Sequence, residues 1–122
     1  MDKKQRPVIL NIINDGTNGI EYFQNNTLRA IIKMQHDLLI ISFKNYLEKR
    51  KIEFINFSDS RKINLINSIF LKDTAYKNIV LGHVLGHFSI QEYHFYLQNS
   101  SEINKRIIKV IQKRIQDSII EI

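Results

Sequence analysis

From Leu28 onward, positions 28, 31, 32, 35, 38, 39, 43, 46 and 47 follow the 3.6-residue period of an α-helix, and all are apolar except Gln35. Continued to about Arg50, such a helix is roughly 35 Å long, the length of a small domain. Its polar face, Lys33, Asp37, Lys44 and Glu48, is narrow, and the apolar arc covers more than half of the circumference. That breadth predicts a helix at the centre of a bundle. Near the end of the chain, Ile107, Ile108, Ile111, Ile115, Ile119 and Ile122 fall within about 120° on a helical wheel, opposite Lys105, Arg106, Lys109 and Lys113. This last helix should pack on the first through its isoleucines.

Local punctuation places the other elements. Asn18 followed by Glu21 resembles a capping box and opens a helix near Gly19, which Asn25-Asn26-Thr27 should kink or restart. Ser58 and Asp59 offer a cap for a helix whose inner stripe is Ile63, Ile66 and Phe70, and Asp73 or Thr74 caps another from Ala75 through His87. Ser89 with Glu92 opens a short aromatic helix, and Asn99 with Glu102 repeats the pattern before the last one. Ahead of these lie a charged start, Pro7, a β-prone patch and an Asp15-Gly16 turn signal. Together they predict an all-α, single-domain bundle of four or five helices (18–122) preceded by an irregular N-terminal arm (1–17), an extended strap along the helices.

Composition narrows the class without naming a reaction. With 43% hydrophobic and 25% charged residues the chain should fold around one core, and one proline and four glycines are too few turn residues for a many-stranded barrel. The absence of cysteine excludes disulfides, thiolate metal sites and cysteine nucleophiles, which makes the reducing cytoplasm the expected location. The apolar run after Pro7 is too short for a signal peptide, and nothing approaches a membrane span, so no membrane is expected among the partners. A net charge of +6 permits nucleic acid as a partner, although an isoleucine-, lysine- and asparagine-rich composition raises charge without reference to any partner.

One stretch carries a physical argument for a site. In Leu81-Gly82-His83-Val84-Leu85-Gly86-His87-Phe88 two glycines and two histidines each recur four residues apart, which on a helix gives a flat strip bordered by two imidazoles. Tyr76 lies seven residues before His83 on the same face. Each glycine lowers helix propensity by about 1 kcal/mol relative to alanine, so the pair predicts a compensating close contact, internal or between copies. Tyr76, Gly82, His83, Gly86 and His87 are therefore the candidate ligand-binding residues. His83 and His87 have the spacing to share a divalent transition metal, with His36 as a further metal ligand and Asp37, Glu92 or His94 as other sources of a third. Val84 stands where zinc proteases carry their glutamate, and His36-Asp37 alone is no metal motif. The row Lys105, Lys109, Lys113 is the candidate nucleic-acid contact. No aromatics interleave with it, and phosphate loops, a nucleophile elbow and a dinucleotide fingerprint are absent.

Glu21-Tyr22-Phe23-Gln24-Asn25-Asn26-Thr27-Leu28-Arg29, continuing through Ile32-Lys33-Met34-Gln35, and the later Gly86-His87-Phe88-Ser89-Ile90-Gln91-Glu92 resemble a family of small bacterial proteins of uncharacterised activity, some of them labelled glyoxalase. The resemblance implies a shared fold over most of the chain, and the family's proline at the position of Ala30 implies a helix restart near Thr27. Neither the paired βαβββ modules of glyoxalase I-like proteins nor the clustered histidines of the metallo-hydrolase type occurs here. The leading expectation is a cytoplasmic, non-enzymatic interaction or structural module without a cofactor, binding itself or another protein. A metal- or small-ligand-binding protein, enzymes included, built on His83 and His87 is the first alternative, and nucleic-acid binding through Lys105, Lys109 and Lys113 the second.

Overall fold

Ile103, Ile107, Ile111 and Ile115 recur every four residues and have no exposed surface, which makes their helix the axis of the molecule. The computed structural model describes residues 17–122. Its α-helical segments are α1 (Thr17–Phe23), α2 (Arg29–Met34), α3 (His36–Lys49), α4 (Asp59–Lys72), α5 (Thr74–Leu85), α6 (Ile90–Gln98) and α7 (Ser100–Asp117), with no strand among the described residues. A π turn, Gln24–Leu28, joins α1 to α2 into one rod, so the bundle counts six helices where four or five were expected. The class is all-α and single-domain, as the hydrophobic periods predict. The arm expected over residues 1–17 lies, apart from Thr17, outside the described residues.

The centre of the bundle is α7, not the helix that starts at Leu28. Packed around α7 are α2, α4, α5, α6 and the π turn. The long helix predicted from Leu28 to Arg50 is broken at Gln35, where the backbone leaves the helical region at φ −96° and ψ 13°. Its N–H is shared between the carbonyls of Ile31 and Ile32, at 3.0 and 3.2 Å, a tightened last turn. The side chain of Gln35 is buried, and its amide donates to the carbonyl of His83 at 3.0 Å. A polar residue in an apolar series thus marks a break because its partner lies on another helix. Beyond it, α3 buries Leu39, Ile40, Phe43, Tyr46 and Leu47 but leaves Leu38 and Ile41 largely exposed, so its wide apolar arc is covered on one side only.

The kink expected at Asn25-Asn26-Thr27 is the π turn. At 100° per residue Phe23 and Leu28 would lie about 140° apart on an α-helix. The i→i+5 bonding of a π turn widens the coil, and both side chains are fully buried. The Asn26 amide donates to the Tyr22 carbonyl at 3.0 Å on the outside of this turn. Helix α1 begins at Thr17, ahead of the cap expected at Asn18.

Local caps set the remaining starts. Ser58 accepts from the N–H of Arg61 at 3.2 Å, Asp73 from that of Tyr76 at 3.0 Å, and Ser89 and Glu92 form a reciprocal capping box at 3.1 and 2.8 Å. The box expected at Asn99 and Glu102 does not form. The Asn99 amide instead turns back to the carbonyl of Phe95 at 3.0 Å. Helix α3 ends in a Schellman turn, with Lys51 N–H on Glu48 O and Ile52 N–H on Leu47 O, both at 3.0 Å. Its left-handed position, φ 55°, is held by Lys51 where glycine is the usual occupant. The isoleucine stripe of α7 ends at Ile115, because the helix stops at Asp117 and Ile119 falls in a 3₁₀ turn.

Candidate functional site

The α5 helix sits between α3 and α7, and its two flanks make two different surfaces. Toward α3 it is registered by three polar contacts: Gln35 on the His83 carbonyl, the Ser42 hydroxyl 3.5 Å from that of Tyr76, and Tyr46 on Asp73. Tyr76, Val80 and Val84 form its buried stripe. Its outward positions are Ala75, Asn78, Ile79, Gly82 and Gly86, none of them charged and all exposed.

The glycines lie where the sequence places them, on one face, but no described helix covers them. A Cβ added at Gly82 meets nothing within 4 Å, and at Gly86 it meets only the Gly82 carbonyl, at 3.3 Å, and the His83 carbonyl, at 3.9 Å. The close contact that two helical glycines predict is therefore not made inside the described residues. Ile79, on the same face, is 54% exposed and shares the α3–α5 groove with Ser42 and Asn45, and on α3 Leu38 and Ile41 are 46% and 65% exposed.

The histidines are not disposed as one helix face. Helix α5 ends at Leu85, short of the His87 expected. The chain then tightens, with His87 N–H on Val84 O at 3.0 Å and Phe88 N–H on Leu85 O at 3.1 Å. These i→i+3 bonds advance the chain by about 120° per residue instead of 100°, which turns His87 away from the α-helical position four residues after His83. The Nδ1 of His83 is buried without a hydrogen-bond partner. His36 is engaged elsewhere: Nε2 lies 3.0 Å from a carboxylate oxygen of Glu121, and Nδ1 accepts from Arg114 at 3.2 Å. Tyr76 sits in the core against Tyr46 and Phe70, with centroids 4.7 and 5.8 Å apart. Among the described residues no three histidine, aspartate or glutamate side chains converge as a metal-holding group.

Where α3 meets the start of α5, Tyr46 donates to Asp73 at 2.6 Å, and Arg50 lies 3.3 Å from the same oxygen with its guanidinium 3.6 Å from the Tyr46 ring centroid. The Tyr46 hydrogen bond, helped by the Tyr76 N–H, holds the Asp73 carboxyl below its usual 3.8. Burial, then the Asp73 bond, pushes the Tyr46 phenol from 10.0 up to about 12. The signs differ. A depressed carboxyl contributes stability that is in place above 3.8 and is lost as pH falls through its lower folded value. A raised phenol contributes stability in place below 10.0 and lost as pH climbs toward about 12. Urea midpoints measured across pH should therefore fall at both ends. Tyr46→Phe should flatten the alkaline fall and shallow the acid one, and an unchanged alkaline profile in that variant would refute the assignment.

On its other flank α5 faces α7 across a groove of about 890 Å³. Lys105 and Lys109 of the predicted lysine row line it, together with Lys77, Leu81 and Leu71, which sequence reasoning did not single out. Lys113, the third of the row, pairs with Asp117 at 3.0 Å and lines a neighbouring cleft of about 330 Å³ with Arg29 and Arg114. The period of α7 reveals its own lysines. The contribution of Lys77 appears only once α5 is known to lie beside α7.

These features define a class: an all-α bundle with two surfaces on one helix that no other described element covers, and with no described helix long and apolar enough to cross a membrane. No family model matches the chain, and no curated protein or solved structure shows significant similarity to it.

Proposed function

We propose that the protein is a non-enzymatic interaction module of the bacterial cytoplasm that pairs with a second copy of itself through the outer face of α5. The observation that carries this reading is the pair Gly82, inside α5, and Gly86, its C-cap, both exposed and with open space above Gly82. Gly82, inside α5, weakens the helix by about 1 kcal/mol relative to alanine, and Gly86 is the C-cap. Among the described residues no contact compensates for that loss, and a second copy laid on this face would supply one. A helix laid over a strip without side chains can approach at the short end of the usual 8–10 Å axis separation. Ala75 and Ile79 supply apolar surface beside the strip, and no charge on the outward positions of α5 opposes the approach. The cysteine-free composition fits a reducing compartment. The bacterial origin rests on the resemblance of Glu21–Arg29 and Gly86–Glu92 to the small bacterial family.

Sedimentation across a concentration series tests the reading. The unaltered chain should dimerise, and Gly82→Leu should weaken the dimer by at least about tenfold, which is 1.4 kcal/mol. Gly82→Ala should raise the thermal stability of the monomer by about 1 kcal/mol, because alanine is the better helix former and its Cβ meets nothing within 4 Å. A chain that stays monomeric throughout, or a Gly82→Leu dimer as tight as the original, refutes the proposal.

A further inference from the structure

The groove between α5 and α7 has a chemistry of its own, on the α7-facing flank of α5, and shares Asn78 with the outward face. Its walls carry Leu81 and Ile108, with Leu71 standing 73% exposed at the end of α4, and its margins carry Lys77, Lys105 and Lys109. Among the described residues those three lysines have no ion-pair partner. Arg106, also in the groove, is held by Glu102 at 3.1 Å and by Gln24 at 2.9 Å. Lys109 and Gln24 are shared with the smaller cleft that holds Arg29, Lys113 and Arg114. The larger depression is a trough between α5 and α7 that borders α7 from Glu102 to Lys109, and the smaller adjoins it across Lys109.

We propose that this trough docks an acidic amphipathic helix of a partner protein. Laid along the groove, its apolar ridge would cover Leu71, Leu81 and Ile108 while carboxylates on its flanks reach Lys77, Lys105 and Lys109. Charge complementarity fixes the sign of the partner, and the apolar walls fix its amphipathic character. Nucleic acid satisfies only the first of these. Its phosphates would meet the lysines, but the apolar walls would stay unmatched, and the one aromatic lining the trough, Phe70, is 4% exposed and offers no stacking platform. A bilayer needs a projecting apolar face, whereas this surface is concave.

The experiment is an NMR titration of the isotope-labelled full chain with a synthetic peptide of four helical turns, leucines on one face and glutamates on both flanks. The controls are a peptide of the same composition shuffled so that no face is apolar, and a single-stranded oligonucleotide of the same charge. The amphipathic peptide should shift resonances of Lys77, Leu81, Lys105, Ile108 and Lys109, and should bind at least about tenfold more tightly than either control. Lys105→Glu with Lys109→Glu should weaken it at least about tenfold, and Leu71→Ser about threefold, each variant's own spectrum reporting an intact fold. Lys105→Gln with Lys109→Gln, which removes charge without reversing it, serves if the double reversal perturbs the spectrum. Equal binding of the shuffled peptide, tighter binding of the oligonucleotide, shifts confined to another face, or no shift at the highest soluble peptide concentration each overturns the proposal. Sedimentation of the same variants keeps the two surfaces separate. Loss of peptide binding should leave any dimer unchanged, and Gly82→Leu should leave peptide binding unchanged.

Discussion

Phe23→Ala should cost about 3–5 kcal/mol of folding stability, the range for removing a large aromatic from a closed core. Phe23 has no exposed surface and sits where α1 enters the π turn. Its ring meets Phe88 edge-on at 5.5 Å and Phe95 at 5.0 Å, so it joins the N-terminal rod to the α5–α6 turn and to α6. Leu28, turned inward by the same π turn, cannot swing across to fill the space without undoing that turn, and the cavity will therefore persist. Urea unfolding should show a lower midpoint with an unchanged slope. A loss below about 1.5 kcal/mol would mean that the corner collapses onto the vacancy and that Phe23 does not anchor the rod. Phe23→Leu, which keeps most of the volume, should cost about 1–1.5 kcal/mol.

The same corner shows what a sequence can and cannot say about this fold. The capping box of Ser89 and Glu92 is a contact over three residues, so its residue types announce the start of α6, and the isoleucines of α7 announce a buried stripe through their period alone. Lys51 announces nothing. It holds a left-handed position that glycine would have signalled, and the chain tolerates it because two backbone hydrogen bonds close the turn. Asn99 has the composition of a cap but bonds backward to Phe95, a choice between two local partners that composition does not decide. The breadth of the apolar arc on α3 suggested the centre of the bundle. That place belongs to α7, because how much of an arc is covered depends on which helices arrive, and Leu38 and Ile41 are left outside.

The candidate site divides in the same way. Spacing placed Gly82 and Gly86 on one face and Lys105 and Lys109 on another, and both faces exist. Spacing could not reveal that the glycine face is bare, that Lys77 and Leu81 complete a trough with α7, or that His36 is occupied by Glu121 and Arg114, 85 and 78 residues away. Tyr76 shares a face with His83 by period but lies in the core, because α3 covers the side from which Tyr46 and Phe43 approach it.

The second large effect is expected at Gln35. At the end of α5 the N–H of His87 bonds to Val84, so the carbonyl of His83 receives its hydrogen bond from the Gln35 amide, which caps α5 from across the interface. Gln35→Leu removes that donor and leaves a partly buried carbonyl unpaired, at a cost of about 1–3 kcal/mol. Gln35→Glu should cost more, about 3–5 kcal/mol at neutral pH, because a buried carboxylate then faces a carbonyl with no donor between them. The two variants should also respond oppositely to acid. Burial raises the introduced carboxyl's pKa, and once protonated its O–H can donate to the His83 carbonyl, so Gln35→Glu should recover stability relative to the parent as pH falls. Gln35→Leu has no such group and should keep a constant deficit. Parallel pH profiles for the two variants would show that the Gln35 amide is not the cap, and the break between α2 and α3 would then need another cause.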